Sequence, residues 1–336
     1  MHEVALLPGS DPNIFNFPQW LPIVHNQQSH ELWVDFWRAD SKILKRYIKS
    51  HLVKVKKLVF YDIFHSHPAP DQDCLDLVWH YQTIIPTVLL TACKTPIPGV
   101  NNVLNFDFYW NRAKIAYLDK SPTWKQSTPE NYNQWPIETD RRPGAVLSLY
   151  GTNNWQSKQH LYYQIKHLSG YHSGQDNGTS LPSDTNITDL SMLQATPPAR
   201  KYFDNTYISA QIESLCKGPI VLYSEKTYDH LIQGRFVMNF GPRHFYRTLV
   251  NDGWKLPVGV DYSWDDIPDI EENQGSHIVQ TEPRFHAYTQ CLCKLASDME
   301  QLHNLFMANV DVFAHNHEQL RQKPYDIISL EQLAHK

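Results

Sequence analysis

The sequence lacks any run approaching the ~18 consecutive apolar residues of a membrane-spanning helix. Its opening stretch, "MHEVALLPGSDPN", holds an apolar run too short for an export signal, so a chain outside the membrane and in the cytoplasm is expected. Cysteine is sparse: Cys74, Cys93, Cys216, Cys291 and Cys293 form an odd set, which excludes a secreted disulfide framework. Cys291-x-Cys293 has neither the spacing nor the second pair of a zinc ribbon, and reduced thiols in a cytoplasm account for all five. Positive charge is not in excess either; the formal net charge of -5 means that no global field draws the chain to nucleic acid. Internal repeats and low-complexity tracts are missing.

What is present describes a folded protein. The 41% hydrophobic and 19% charged residues exclude a disordered chain, and 336 residues suffice for two domains, each with its own core. With 10 Trp, 18 Tyr and 18 His, the aromatic content suits amphipathic packing and also stacking surfaces. Lys42, Lys45, Arg46, Lys49, Lys54, Lys56 and Lys57 make the densest basic run. It reads as a solvated helix face leading into a strand, or as a patch that tracks phosphates.

Along the chain, "EVALLPGSDPN" reads as a short strand broken by a Pro-Gly loop, and "HELWVDFWRADSKILKRYIKSHL" as one amphipathic helix. "VKKLVFYDIF", "PTVLLTAC" and "NNVLNFDFYW" read as strands and "CLDLVWHYQTII" as a helix, the pattern of a parallel α/β layer. The polar, proline-bearing stretch that follows predicts a crossing between domains. The pattern then restarts: strand "GAVLSLY", loop "GTNNWQSKQ", helix "HLYYQIKHL" and a flexible excursion "SGQDNGTSLPSDTN". After "NTYISAQIES" come strand "PIVLYS", helix "EKTYDHLIQG", strand "RFVMNF" and helix "RHFYRTLVNDG", closed by one long helical tail. The expected fold class is α/β with two Rossmann-like domains: residues 1–125, a crossing at 126–142, residues 143–300, and a tail at 301–336.

One junction carries chemistry. In "PIVLYSEKTYDHLIQG", Ser224 is a candidate N-cap and Gly234 sits where a left-handed residue ends a helix. A strand-to-helix junction of an open α/β sheet faces a ligand crevice. Backbone N–H groups at the helix start and the Lys226 ammonium suit phosphate, while Glu225 can accept two hydroxyl hydrogen bonds from a ribose. The plainer alternative is a favourable helix N-terminus with a solvated lysine.

The stretches "YFDNTYISAQIES", "GPIVLYSEKTYDHLIQGRFVMNFGPRHFYRTLVNDGWKL", "YSWDDIPD" and "FAHNHEQL" together resemble glycosyltransferases of GT-B fold widespread in bacteriophage and bacterial genomes. The likeness covers residues 200–320; the N-terminal half shares only the architecture. It implies two Rossmann-like domains facing a cleft, a nucleotide-sugar donor, no metal, and the host cytoplasm for a phage-encoded protein. It implies that Glu225 holds the nucleotide ribose, that Ser224, Lys226 and Thr227 belong to the donor site, and that Gly241 and Pro242 form a turn where backbone approaches the ligand. Where relatives have an Arg-bearing segment after the first strand, this chain has "GTNNWQSKQH", with Lys158 and His160 as its cations. Asp265 and Asp266 are expected as surface acidity outside the active centre. The implied acceptor is a hydroxymethylated pyrimidine in phage DNA, or a polysaccharide or protein hydroxyl; a non-catalytic nucleotide-binding protein is the alternative.

An inverting transferase also needs a base, expected in the N-terminal domain. "FYDIFHSHP" places Asp62, His65 and His67 at a strand end, and Asp11, in the loop after the first strand, is the rival. His65-x-His67 has no evident third ligand for a metal, and His315-x-His317 reads as surface.

Overall fold

The computed structural model describes residues 23–26, 31–35, 41–52, 55–62, 72–105, 139–150, 155–176, 179–180, 204–213, 216–217, 221–231, 233–270 and 281–323. The chain divides into two compact units, residues 1–108 with 325–336, and residues 109–324. The fold class is α/β, with a five-stranded sheet in each unit.

In the first unit β1 (Ile23–Asn26) pairs antiparallel with β2 (Glu31–Asp35). Parallel pairing then joins β2, β3 (Lys57–Asp62), β4 (Thr87–Thr91) and β5 (Val103–Asn105) in chain order. Every residue of β4 is buried, which is why "TVLLT" shows no polar alternation. Helices α1 (Ser41–His51) and α2 (Gln72–Gln82) follow β2 and β3. Because each crossover advances the sheet in the same direction with the same hand, both helices cover one face and pack together, Tyr81 Oη donating to the Lys45 carbonyl at 3.4 Å.

The single amphipathic helix expected over residues 30–52 is therefore corrected. "ELWVD" is a strand in register with β3, Trp33 opposite Val59, and the helix starts only at Ser41. The β-forming Leu-Trp-Val triplet and a five-residue parallel ladder outweigh the helical spacing of the aromatics.

The second unit contains β6 (Gly144–Tyr150), α3 (Trp155–Ile165), β7 (Gly170–Asp176), β8 (Thr179–Ser180), β9 (Thr206–Ile212), α4 (Glu225–Leu231), β10 (Phe236–Phe240) and α5 (Phe245–Asn251). A 3-10 turn (Ser263–Asp266) precedes α6 (Pro283–Ala296), α7 (Met299–Met307) and α8 (Val310–Gln322). Strand order is β10-β9-β6-β7-β8, parallel except for β8. From β6 the chain moves outward to β7, then returns to build β9 and β10 on the other side. The reversal between β6 and β9 is a topological switch point, where α/β sheets open a crevice at their carboxyl ends. The described strands of the first sheet contain no such reversal.

Three further expectations are corrected here. Helix α3 begins at Trp155, so Lys158, expected on the loop, is helical, while His160 lies in the helix as expected. Ser173–Asp176, expected within a flexible excursion, belong to the strand Gly170–Asp176, laddered to β6. Residues 221–224 are buried but irregular and form no strand. The tail is helical as expected, in three helices and not one unbroken rod, interrupted where Asp298 caps α7 by accepting from the Glu300 and Gln301 amides at 2.9 and 3.0 Å.

Nor is that tail a separate domain. The rings of Phe306 and Phe313 lie 6.2 and 5.4 Å from that of Phe236, and the Asn309 side chain is bonded to both backbone groups of Val258. The expected crossing lies outside the described residues up to position 138. Its last residue, Arg142, is buried in the second unit, with hydrogen bonds to the Thr206 and Gly234 carbonyls and its guanidinium 4.3 Å from the Phe306 ring. Among the described residues no helix is long and apolar enough to cross a membrane.

Candidate functional site

At the carboxyl end of β9 the chain runs into Glu213, whose amide donates to the Phe240 carbonyl at 2.9 Å and prolongs the β9–β10 ladder. The Glu213 residue is only 2% exposed. Ser224 Oγ donates to its Oε2 and Thr227 Oγ1 to its Oε1, both at 2.5 Å, and Asn239 Nδ2 reaches Oε1 at 3.3 Å. Asn239 Nδ2 also donates to the Lys226 carbonyl at 2.9 Å. A buried carboxylate is costly unless hydrogen-bonded; here three donors from α4, its leading residue and β10 meet it. The start of α4 is thereby fixed on the carboxyl edge of the sheet. Glu225 is the first residue of that helix, and its side chain lies outside the described residues; Lys226 beside it is partly exposed.

Ser224 caps the helix as expected, its Oγ accepting from the Lys226 amide at 3.1 Å. Its carbonyl takes the Thr227 and Tyr228 amides at 3.1 and 3.2 Å. The expectation that amides at this helix start wait for a phosphate is corrected, because these three are bonded within the chain and α4 has only seven residues. Thr227 is buried, its hydroxyl held by Glu213.

A second buried array braces the same edge. Arg284 of α6 is fully buried, with Nε 2.8 Å from Asp269, Nη1 2.7 Å from the Gly241 carbonyl and Nη2 2.6 Å from the Cys216 carbonyl. Its guanidinium lies 4.2 Å from the Phe240 ring. Lys217 pairs with Glu282, which also accepts the Ile270 amide at 2.7 Å. Lys158 is buried to 2% exposure, and with Arg284 and Lys217 it acts on the Cys216 thiol. Burial outweighs these cations and pushes that thiol up to about 12, so it stays protonated. His160 is half-buried, its ring 5.9 Å from that of Phe285, and burial followed by His286 holds it below its usual range. Gly241 is indispensable for a reason other than ligand approach: a Cβ there would run into the Phe245 ring.

Asp265 corrects a further expectation. It is buried and caps α5 across the chain, accepting from the amides of Phe245, Tyr246 and Arg247 at 3.0, 2.9 and 3.4 Å. Burial pushes its carboxyl up to about 6, against the pull of those N–H groups and Arg284. Asp266 is the exposed member, 2.7 Å from Arg247 and 3.0 Å from His244.

Asp62 closes β3 at the carboxyl edge of the first sheet; His65, His67 and Asp11 lie outside the described residues. His315, expected on the surface, is partly buried with Nε2 3.2 Å from the Gly253 carbonyl. Among the described residues no group of three or more His, Cys, Asp or Glu is gathered for a metal. Sequence reasoning missed Glu213 and Arg284. An acid directly after the apolar strand "TYISAQI" is a readable signal for a group at a strand's carboxyl end; Arg284, inside a helix, has none. No family model, curated protein or solved structure matches the chain.

Glu213→Ala leaves the buried Ser224 and Thr227 hydroxyls without their acceptor, Asn239 Nδ2 keeping the Lys226 carbonyl, and is expected to cost about 2–5 kcal/mol of unfolding free energy, read from urea titration. A loss below about 1 kcal/mol would show that the carboxylate does not organise this edge. Asp265 supplies a pH test. Its carboxyl binds a proton more tightly in the fold, at about 6, than at its ordinary 3.8, so its stabilising contribution is full below 3.8 and is lost as pH rises through 6. The stability of the wild type relative to Asp265→Asn therefore falls across that window. A difference that rises with pH would mean that the three N–H donors outweigh burial.

Proposed function

We propose that the chain is a nucleotide-sugar-dependent glycosyltransferase whose two units are the Rossmann-like domains of a GT-B enzyme, transferring a sugar to an acceptor hydroxyl. The observation that carries this reading is the anchoring of the Ser224–Thr227 segment, by Glu213, on the carboxyl edge of a sheet with a switch point. On this reading the donor nucleotide occupies the crevice of the second unit. Glu225 accepts the two ribose hydroxyls, and Lys226 supplies a compact charge to the diphosphate as it leaves. Ser224 and Thr227 act through position, since their hydroxyls are committed to Glu213. With the amides of α4 already bonded, side chains carry the phosphate contacts. No metal takes part in this scheme. Asp62, with His65 and His67 or with Asp11 as rival, removes the acceptor proton. An odd set of five cysteines fits work in the cytoplasm.

A non-catalytic nucleotide-binding protein is favoured by one observation, the enclosure of Lys158 by protein, which withdraws a cation from the segment where the glycosyltransferases that the sequence resembles have Arg. A panel of nucleotide sugars, scored by thermal shift and by hydrolysis, separates the readings. The transferase reading predicts a shift and turnover with at least one donor. Glu225→Ala should then lower donor affinity and turnover together by roughly 10- to 100-fold, the worth of a charge-assisted hydrogen-bond pair. A shift without turnover supports the non-catalytic reading, and no response from a folded protein to any donor ends both.

A further inference from the structure

We propose that the exposed face of α1 docks the phosphate backbone of duplex DNA. The helix sequence "SKILKRYIKSH" contains no acidic residue, and Lys42, Lys45, Arg46 and Lys49 are all exposed. At about 100° per residue these four side chains fall within an arc of about 100°, one continuous stripe. From Lys42 to Lys49 the helix advances about 10 Å, over which duplex DNA presents roughly six phosphates. Lys56, exposed before β3, adds a fifth cation. Asp76 of α2 is the one acidic side chain described on the two helices of this face. The stripe lends local positive charge to a chain whose net charge is -5.

The chemistry of the stripe selects its occupant. Ile48 is fully buried about 110° round α1 from the middle of the stripe, and the exposed positions described on the helix are Lys42, Lys45, Arg46, Lys49 and Ser50. A regular double-stranded phosphate ladder needs only cations at this spacing. Since α1 follows the carboxyl end of β2, the stripe starts at the sheet edge where Asp62 closes the neighbouring β3. Docking follows from this surface alone; the further step, that DNA is the acceptor, rests on the transferase reading.

The test is fluorescence anisotropy of a short labelled duplex with the full chain between 50 and 200 mM salt. Four phosphate contacts predict a slope of log affinity against log salt near -3.6, hence a weakening of roughly 150-fold over that range. Each single substitution, Lys42→Gln, Lys45→Gln, Arg46→Gln or Lys49→Gln, should remove about one unit of slope, and the fourfold variant should leave no more than about the one unit that Lys56 can supply. Lys255→Gln with Lys294→Gln, exposed lysines of the second unit, should change nothing. Three results would overturn the proposal: no duplex binding at 50 mM salt, an unchanged slope in the fourfold variant, or capture by vesicles of anionic lipid with none by DNA. Donor-induced thermal shifts on the same preparations keep the two readings apart. The fourfold variant should retain any donor response, and absence of that response beside intact DNA binding counts against the transferase alone.

Discussion

The architecture of the second unit turns on one carboxylate in the wrong medium. Glu213 is withdrawn from water at the end of a central strand, and the chain answers with two hydroxyls and an amide aimed at it. Those donors come from distant stretches, so satisfying Glu213 draws the Ser224–Thr227 segment and β10 onto the end of β9. Asn239 tightens the arrangement by bridging the carboxylate and the Lys226 carbonyl. Breaking such a site costs more than building an apolar one would gain, which suits a device for position better than one for bulk stability.

The brace around Arg284 does comparable work on the other side of the same edge. One guanidinium gathers carbonyls that follow β9 and β10 and pins them to Asp269, while the Phe240 ring covers it. Between these two polar anchors, the loops after the strands next to the switch point are held by hydrogen bonds and also by the buried side chains of Val221, Leu222 and Tyr223, the last edge-on to the Phe245 ring. Edges built in this way keep a fixed shape. Binding at a pre-shaped edge avoids the entropy of ordering loops after the ligand arrives.

Much of the fold was legible because its strands are short, apolar and punctuated. "VKKLVFYDIF", "PTVLLTAC", "GAVLSLY" and "RFVMNF" are strands as their β-branched and aromatic content indicates, and α4 begins at Glu225 behind its Ser224 cap. The failures have specific causes. "ELWVD" matches a helical period by coincidence of spacing, and only pairing with β3 decides otherwise. "GYHSGQD" is poor in strand formers and is a strand because β6 offers it a ladder. At the site, local sequence revealed the helix start but not what secures it, since Glu213 and Asn239 meet Ser224 and Thr227 only through the crossover. Asp265 looked like surface acidity because a cap supplied from 18 to 20 residues away leaves no local pattern.

The two units offer different things to chemistry: the second a sheet edge with buried polar anchors, the first a cationic helix beside a strand end that carries Asp62. The central claim is that the Glu213-anchored segment contacts a nucleotide, and hydrogen exchange across residues 221–231 tests it most directly. In the presence of a saturating nucleoside diphosphate, the amides of Lys226, Thr227 and Tyr228 should exchange more slowly, with inorganic phosphate alone having little effect. Exchange in this segment that stays unchanged while a nucleoside diphosphate protects some other part of the chain would contradict the account.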